Sequence, residues 1–151
     1  MSRGVATAGL PSKLMNGPGT WTLARLSVPA GNYLITATCD FFCRTAPQGV
    51  PFHVDLRLGA VPYYPMHASV LRPAVNENIA LTLGGKVQRR SDISFAVTVG
   101  DDHFPNLGVG AEAEASSIFV TAIQVDELYF NTLPRAFPVF VDVLRRLLRR
   151  L

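Results

Sequence analysis

An all-β fold, built as an antiparallel sandwich of short strands, is predicted by three observations. Seven or eight apolar-rich stretches recur at spacings near ten residues. Gly and Pro fall between them, and no helical period appears before residue 137. The third observation is Ser116 to Leu128, where Phe119, Thr121, Ile123 and Val125 occupy one side of a two-residue period and Ile118, Val120, Ala122 and Gln124 the other. Both sides of that strand are largely apolar, so both need cover. The opposite sheet supplies one cover, and a helix, a long loop or another copy of the chain must supply the other.

Taken in order, residues 1–19 carry four glycines, Pro11 and Pro18 with little periodicity, and read as an extended N-terminal arm. From Thr20 the pattern is that of strands. Trp21, Leu23, Arg25 and Ser27 alternate with Thr22, Ala24, Leu26 and Val28, then Pro29-Ala-Gly-Asn32 supplies turn chemistry and Tyr33 to Phe42 follows, which predicts a hairpin. Phe52 to Leu58 is the cleanest half-buried strand, with His53, Asp55 and Arg57 opposite Phe52, Val54, Leu56 and Leu58. Residues 59–76 are rich in Pro and aromatics and read as an irregular, partly covered connection. Glu77 to Leu83 predicts a short strand ended by Gly84-Gly85, and Asp92 to Val99 a further one. Residues 100–115 form a long connection with room for one short strand. The sandwich is thus expected over 20–133 and a separate terminal segment over 134–151.

A chain of 151 residues suits one domain with tails, long enough to bury a core without disulfides or metals. Only 17% of residues are charged, which fits a surface partly devoted to other protein. Five of the fourteen basic residues but one of the eleven acids lie after residue 134, so the basic character belongs to the tail. The N-terminus lacks the apolar run of a secretory signal, and no stretch has the length of a membrane span. Synthesis and retention in a cytosol is the expectation. Cys39 and Cys43 stand four apart in one strand, roughly 13 Å between Cα atoms, beyond disulfide reach, and read as two small buried side chains.

Two passages carry a resemblance. Val28-Pro-Ala-Gly-Asn-Tyr-Leu-Ile-Thr-Ala37 resembles the P-x-G-x-Y strand entry of the jelly rolls of complement globular heads and tumour-necrosis-factor-like proteins. Ile118 to Leu128 is similar to their final strand, which runs through the centre of the inner sheet. Similar small jelly rolls occur in phage fibre heads and capsid-decoration proteins. The resemblance implies a jelly roll that forms a homotrimer through one sheet, with Tyr33, Phe119, Thr121, Ile123 and Val125 at the trimer interface. The chain has no collagen-like stalk and adds a basic tail.

That tail, Pro134 to Leu151, is the one convincing helix: a short C-terminal amphipathic α-helix with Pro138 in its first turn, Asp142 toward the positive end of the dipole and Arg145, Arg146, Arg149 and Arg150 at the negative end. Phe137, Phe140, Leu144, Leu147 and Leu151 follow a 3-4-3-4 spacing and form a narrow apolar seam. So short a helix is marginal alone in water and needs a surface. Its own sandwich, a trimer stalk and a larger assembly are all open to it. A membrane surface fits less well, because Lys and Trp anchors are missing. Two Arg-Arg pairs without interleaved aromatics give no reason to expect nucleic acid.

No catalytic, metal or cofactor site is predicted. His53, His67 and His103 are scattered and show no ligand spacing, and Asp101-Asp102-His103 reads as turn chemistry. Gly84-Gly85-Lys86 lacks the rest of a phosphate loop, Glu112 and Glu114 lack a visible cleft, and Ser116-Ser117 lacks nucleophile-elbow glycines. The expectation is a non-enzymatic structural protein: a trimeric virion component of a phage, a capsid decoration or head fibre, assembled in the host cytoplasm. Its ends would fasten it to a larger protein shell, such as one built of a major capsid protein. The alternative is a recognition module of the complement-head or tumour-necrosis-factor type, binding a carbohydrate or protein through its loops.

Overall fold

The computed structural model describes residues 4–46, 50–59, 67–71, 76–100 and 108–127. Eight strands run in chain order: β1 (Val5–Asn16), β2 (Gly19–Val28), β3 (Gly31–Thr45), β4 (Phe52–Leu58), β5 (His67–Leu71), β6 (Asn76–Val87), β7 (Ser91–Val99) and β8 (Glu112–Val125). They form two antiparallel four-stranded sheets in the orders β1-β8-β3-β6 and β2-β7-β4-β5. No helix occurs among the described residues. The pairs β1·β8, β2·β7, β3·β6 and β4·β5 nest inside one another, as in one long hairpin rolled over itself until its arms lie in two layers.

The core follows from the period of two. Ile35, Ala37, Cys39 and Phe41 of β3 and Ile118, Val120 and Ala122 of β8 are fully buried, and they meet Leu23, Val54, Leu56, Ile93, Phe95 and Val97 of the second sheet. Phe41 and Phe52 bridge the layers edge to face, with ring centroids 5.6 Å apart. Small residues on β8 (Ala113, Ala115, Ala122) lie within the same core as these large side chains.

Four expectations change. The arm over residues 1–19 is largely strand: β1 pairs with β8 from Val5↔Ile123 to Asn16↔Glu112. Its pairing is interrupted at Pro11, between Leu10↔Ile118 and Ser12↔Ser116, opposite Ser117, a non-glycine residue at φ 51° where β8 bulges against β3. β2 and β3 do not form a hairpin, since Pro29–Ala30 carries the chain from one sheet to the other. β6 does not stop at Gly84-Gly85 but runs on to Val87, with Gly85 buried opposite Tyr33. The irregular stretch 59–76 contains a strand, β5. The terminal helix over 134–151 lies outside the described residues.

Gly9 sits where a side chain has no room: a Cβ there would stand 2.6 Å from the Ile118 carbonyl oxygen, with the Phe119 ring at 3.5 Å. Gly9→Ala is therefore expected to lever β1 off β8 and cost about 1 to 3 kcal/mol, whereas Ile118→Ala, which opens a cavity in the core, should cost about 2 to 5 kcal/mol. Urea unfolding of both variants beside the parent checks this, and an unchanged midpoint for Gly9→Ala would contradict the close approach.

Candidate functional site

The two outer faces of the sandwich differ in kind. On β2-β7-β4-β5 three polar pairs mark the outward side of the described side chains. Thr20 and Thr98 hydroxyls are 3.1 Å apart, Arg25 donates from Nε and Nη2 to Asp92 Oδ2 at 3.1 and 2.6 Å, and Arg57 Nη2 donates to Asp55 Oδ2 at 3.1 Å. Asp55 among them is 7% exposed, so this side is partly covered at its centre.

The outer face of β1-β8-β3-β6 is not of that kind. Residues opposed across a ladder point to the same side, so the registers arrange this face in rows. Val5, Ile123, Leu34 and Gly84 form one row. Thr7, Thr121, Thr36 and Thr82 form the next, one threonine from each strand, and Gly9, Phe119, Thr38 and Ala80 the third. Val5 is 63% exposed, Phe119 60% and Ile123 37%, and Leu34 is exposed as well. Fully covering a side chain of this kind contributes about 1.5 to 3 kcal/mol, and here the protein leaves four in one patch uncovered.

Beyond the third row the face turns polar. Ser12, Ser116, Asp40 and Asn78 form a row. Asn78 Nδ2 donates to Asp40 Oδ1 at 2.8 Å, and this bond, with a second from Ser117, holds the Asp40 carboxyl below its ordinary pKa. At the far end Arg44 Nη1 reaches Glu112 Oε1 at 3.3 Å and Nη2 bonds Glu114 Oε2. The two glutamates thus share one guanidinium at the surface and are arranged as an ion-pair network. Leu14 and Phe42 lie exposed beside them.

Phe119, Thr121, Ile123 and Val125 lie together along the outward side of β8, Val125 opposite Asn32. Tyr33, expected beside them, does not share that side. It is 3% exposed on the inner face, in step with Ile35 and Ala37, and its hydroxyl donates to the Pro29 carbonyl at 3.0 Å. Sequence reading missed Val5 and Leu34, which complete the first row, because a row exists only once the register is known. Phe137, Phe140, Leu144, Leu147, Leu151 and the four tail arginines lie outside the described residues, as does His103. His53 is half-buried on β4. No group of three or more His, Cys, Asp or Glu side chains suited to a metal ion occurs among the described residues.

No family model and no curated protein matches the sequence. Among solved structures the chain is similar to VP2 in the subviral particle of infectious bursal disease virus. The match has 14% identity and a TM-score of 0.54, and covers 81% of this chain and 32% of that one. The two share a fold. A second match, to the structure of the Gx strain of the same virus, covers 97% of this chain and 49% of that one at 13% identity, but its TM-score of 0.31 adds nothing to the comparison. The chain spans about a third of the VP2 chain it matches.

Cys39 and Cys43 both point inward from β3 as free thiols. Burial, helped by the Asp40 charge, pushes the Cys39 thiol up to about 12, and burial raises Cys43 as well. Above pH about 9 the unfolded chain releases the Cys39 proton while the folded chain keeps it, so stability falls as pH rises toward 12. Urea midpoints measured at pH 8 and pH 10 should drop for the parent, and drop less for Cys39→Ala. Equal drops would remove Cys39 as the cause.

Proposed function

We propose that this protein is a non-enzymatic structural component of a virus particle, and that it works by packing the outer face of β1-β8-β3-β6 against other protein. The observation that carries the proposal is the contrast between the two outer faces: one carries three polar side-chain pairs, the other presents Val5, Ile123, Leu34 and Phe119 around a row of threonines. Charged residues are depleted at the centres of protein interfaces while flat apolar area is kept, and this face has that composition. The fold shared with VP2 of a subviral particle is in keeping with the same reading.

The nested order of the strands is that of a jelly roll, and we take the fold in that sense. The finer form we propose is a homotrimer that decorates a capsid or stands on it as a head fibre, fastened to a larger shell. Phe119, Thr121, Ile123 and Val125 of each copy would meet their counterparts.

Light scattering over a range of concentrations tests this directly. The full chain is expected to associate to three copies, and Phe119→Glu combined with Ile123→Glu to stay monomeric at every concentration while unfolding at the parent's urea midpoint, since both side chains already face water. Identical masses for parent and variant throughout would overturn the assignment of the face.

A further inference from the structure

We infer that Asn16 is a site of slow self-modification: the Gly17 main-chain nitrogen converts its side-chain amide to a carboxylate, and the turn Gly108–Ala111 holds that reaction back while the end of β1 stays in place. The inference goes beyond the assembly reading and does not depend on it. Asn16 alone among the asparagines of the chain is followed by glycine, the residue that puts least bulk in the way of such an attack and turns most freely into it. Asn16 is the last residue of β1 and is exposed to water, and Gly17 leaves the strand at φ 84°.

The reaction needs only what solvent supplies. A solvent base takes the Gly17 N–H proton, the nitrogen bonds to Asn16 Cγ, and the Cγ–Nδ2 bond breaks with loss of ammonia, which leaves a five-membered imide. Water then cleaves one of the two carbonyl–nitrogen bonds of the ring. Cleavage at Cγ restores the normal main chain with an aspartate at position 16. Cleavage at the main-chain carbonyl sends the chain through Cγ and makes it one carbon longer.

In the folded chain the attacking nitrogen is engaged. Gly17 N–H donates to the Ala111 carbonyl at 2.8 Å, and Ala111 N–H donates in turn to the Gly108 carbonyl at 3.0 Å. Gly108, at φ 103°, lies so close to this corner that a Cβ on it would stand 3.3 Å from Pro18 Cα. While the Gly17–Ala111 bond holds, the nitrogen keeps its proton and cannot swing toward Cγ, so the attack waits on local opening of the corner. Such opening is within reach of β1, an edge strand that leaves Val5, Leu10 and Leu14 exposed.

Either product makes the opening irreversible. Asn16 is opposed to Glu112 across the ladder, and Glu112 already shares the Arg44 guanidinium with Glu114. A carboxylate at position 16 sets like charges directly opposite one another, which destabilises a cross-strand pair. A lengthened main chain loses the Asn16↔Glu112 register next to the fully buried Met15. A chain whose β1 has once come away is thereby marked, and its β1 no longer closes on β8 as before.

The test follows position 16 of the full chain by peptide mass spectrometry during incubation at mildly alkaline pH, folded and in urea. Conversion is expected to be at least about tenfold slower in the folded chain, as for a group that reacts only on local opening. Gly108→Ala, which crowds Pro18 and leaves Asn16 and Gly17 intact, is expected to close much of that gap, and Leu56→Ala, which opens a cavity in the other sheet, to close far less of it. Rates in urea should be the same for all three chains. Equal rates for the folded and unfolded parent, or no conversion in urea, would overturn the inference. So would an unchanged folded rate in Gly108→Ala, or an equal rise in Leu56→Ala, since access would then follow global unfolding. Where Gly108→Ala does not fold, hydrogen exchange of the Gly17 amide in the parent reads the same gate, and exchange as fast as in urea would overturn it. Asn16→Asp is expected to lower the urea midpoint and Asn16→Gln to keep it, and equal midpoints for the two would overturn the consequence for β1.

Discussion

The pairing of β8 on both its edges, with β1 on one side and β3 on the other, is the constraint on which the rest of this structure depends. It closes the roll, because the last strand of the nested order fills the place between the first and the third. It also commits every side chain of β8 to one of two sides, since a one-residue slip would send Ile118, Val120 and Ala122 to the outside and Phe119 and Ile123 into the core. The bulge at Ser117 lets the strand keep Ala113 and Ala115 inside as well, by absorbing one residue between the two runs. Burial of Ile118, Val120 and Ala122 thus dictates that Phe119 and Ile123 look outward.

Much of the fold is legible in the sequence, and the legible parts share a cause. β4, β7 and the later half of β8 alternate strictly, and their inward residues are those with the apolar parity. The failures also share one. Gly, Pro and Asn mark a change of direction without saying which strand the chain will pair with afterwards, so Pro29 to Asn32 reads equally as a hairpin and as a crossing between sheets. Gly84 and Gly85 read as a terminus, although β6 continues through them opposite Leu34 and Tyr33. β1 was invisible as a strand because an edge strand half-covered by core needs few large residues.

The candidate face was legible in part. Phe119, Thr121 and Ile123 follow from parity alone, and the two-sided apolarity of β8 already demanded a cover from outside. The resemblance sets Tyr33 beside them, although it shares parity with Ile35 and Ala37 and therefore belongs inside. Val5 and Leu34 join the patch only through registers that link residues far apart in the chain, which no local pattern encodes.

The nested strand order has a further consequence, in time. Val5 and Ile123 are 118 positions apart in the chain yet directly opposed, and every outer pair of the roll waits on the ones inside it. Loop closure between such distant segments is entropically slow, so the protein belongs with those whose folding is governed by long-range pairing. During synthesis the first strand leaves the ribosome long before its neighbour exists, and β3 must stand with one edge open until the same neighbour arrives. The nascent sheet is exposed to wrong partners along two edges for most of translation. The chain is most vulnerable before its last described strand is made.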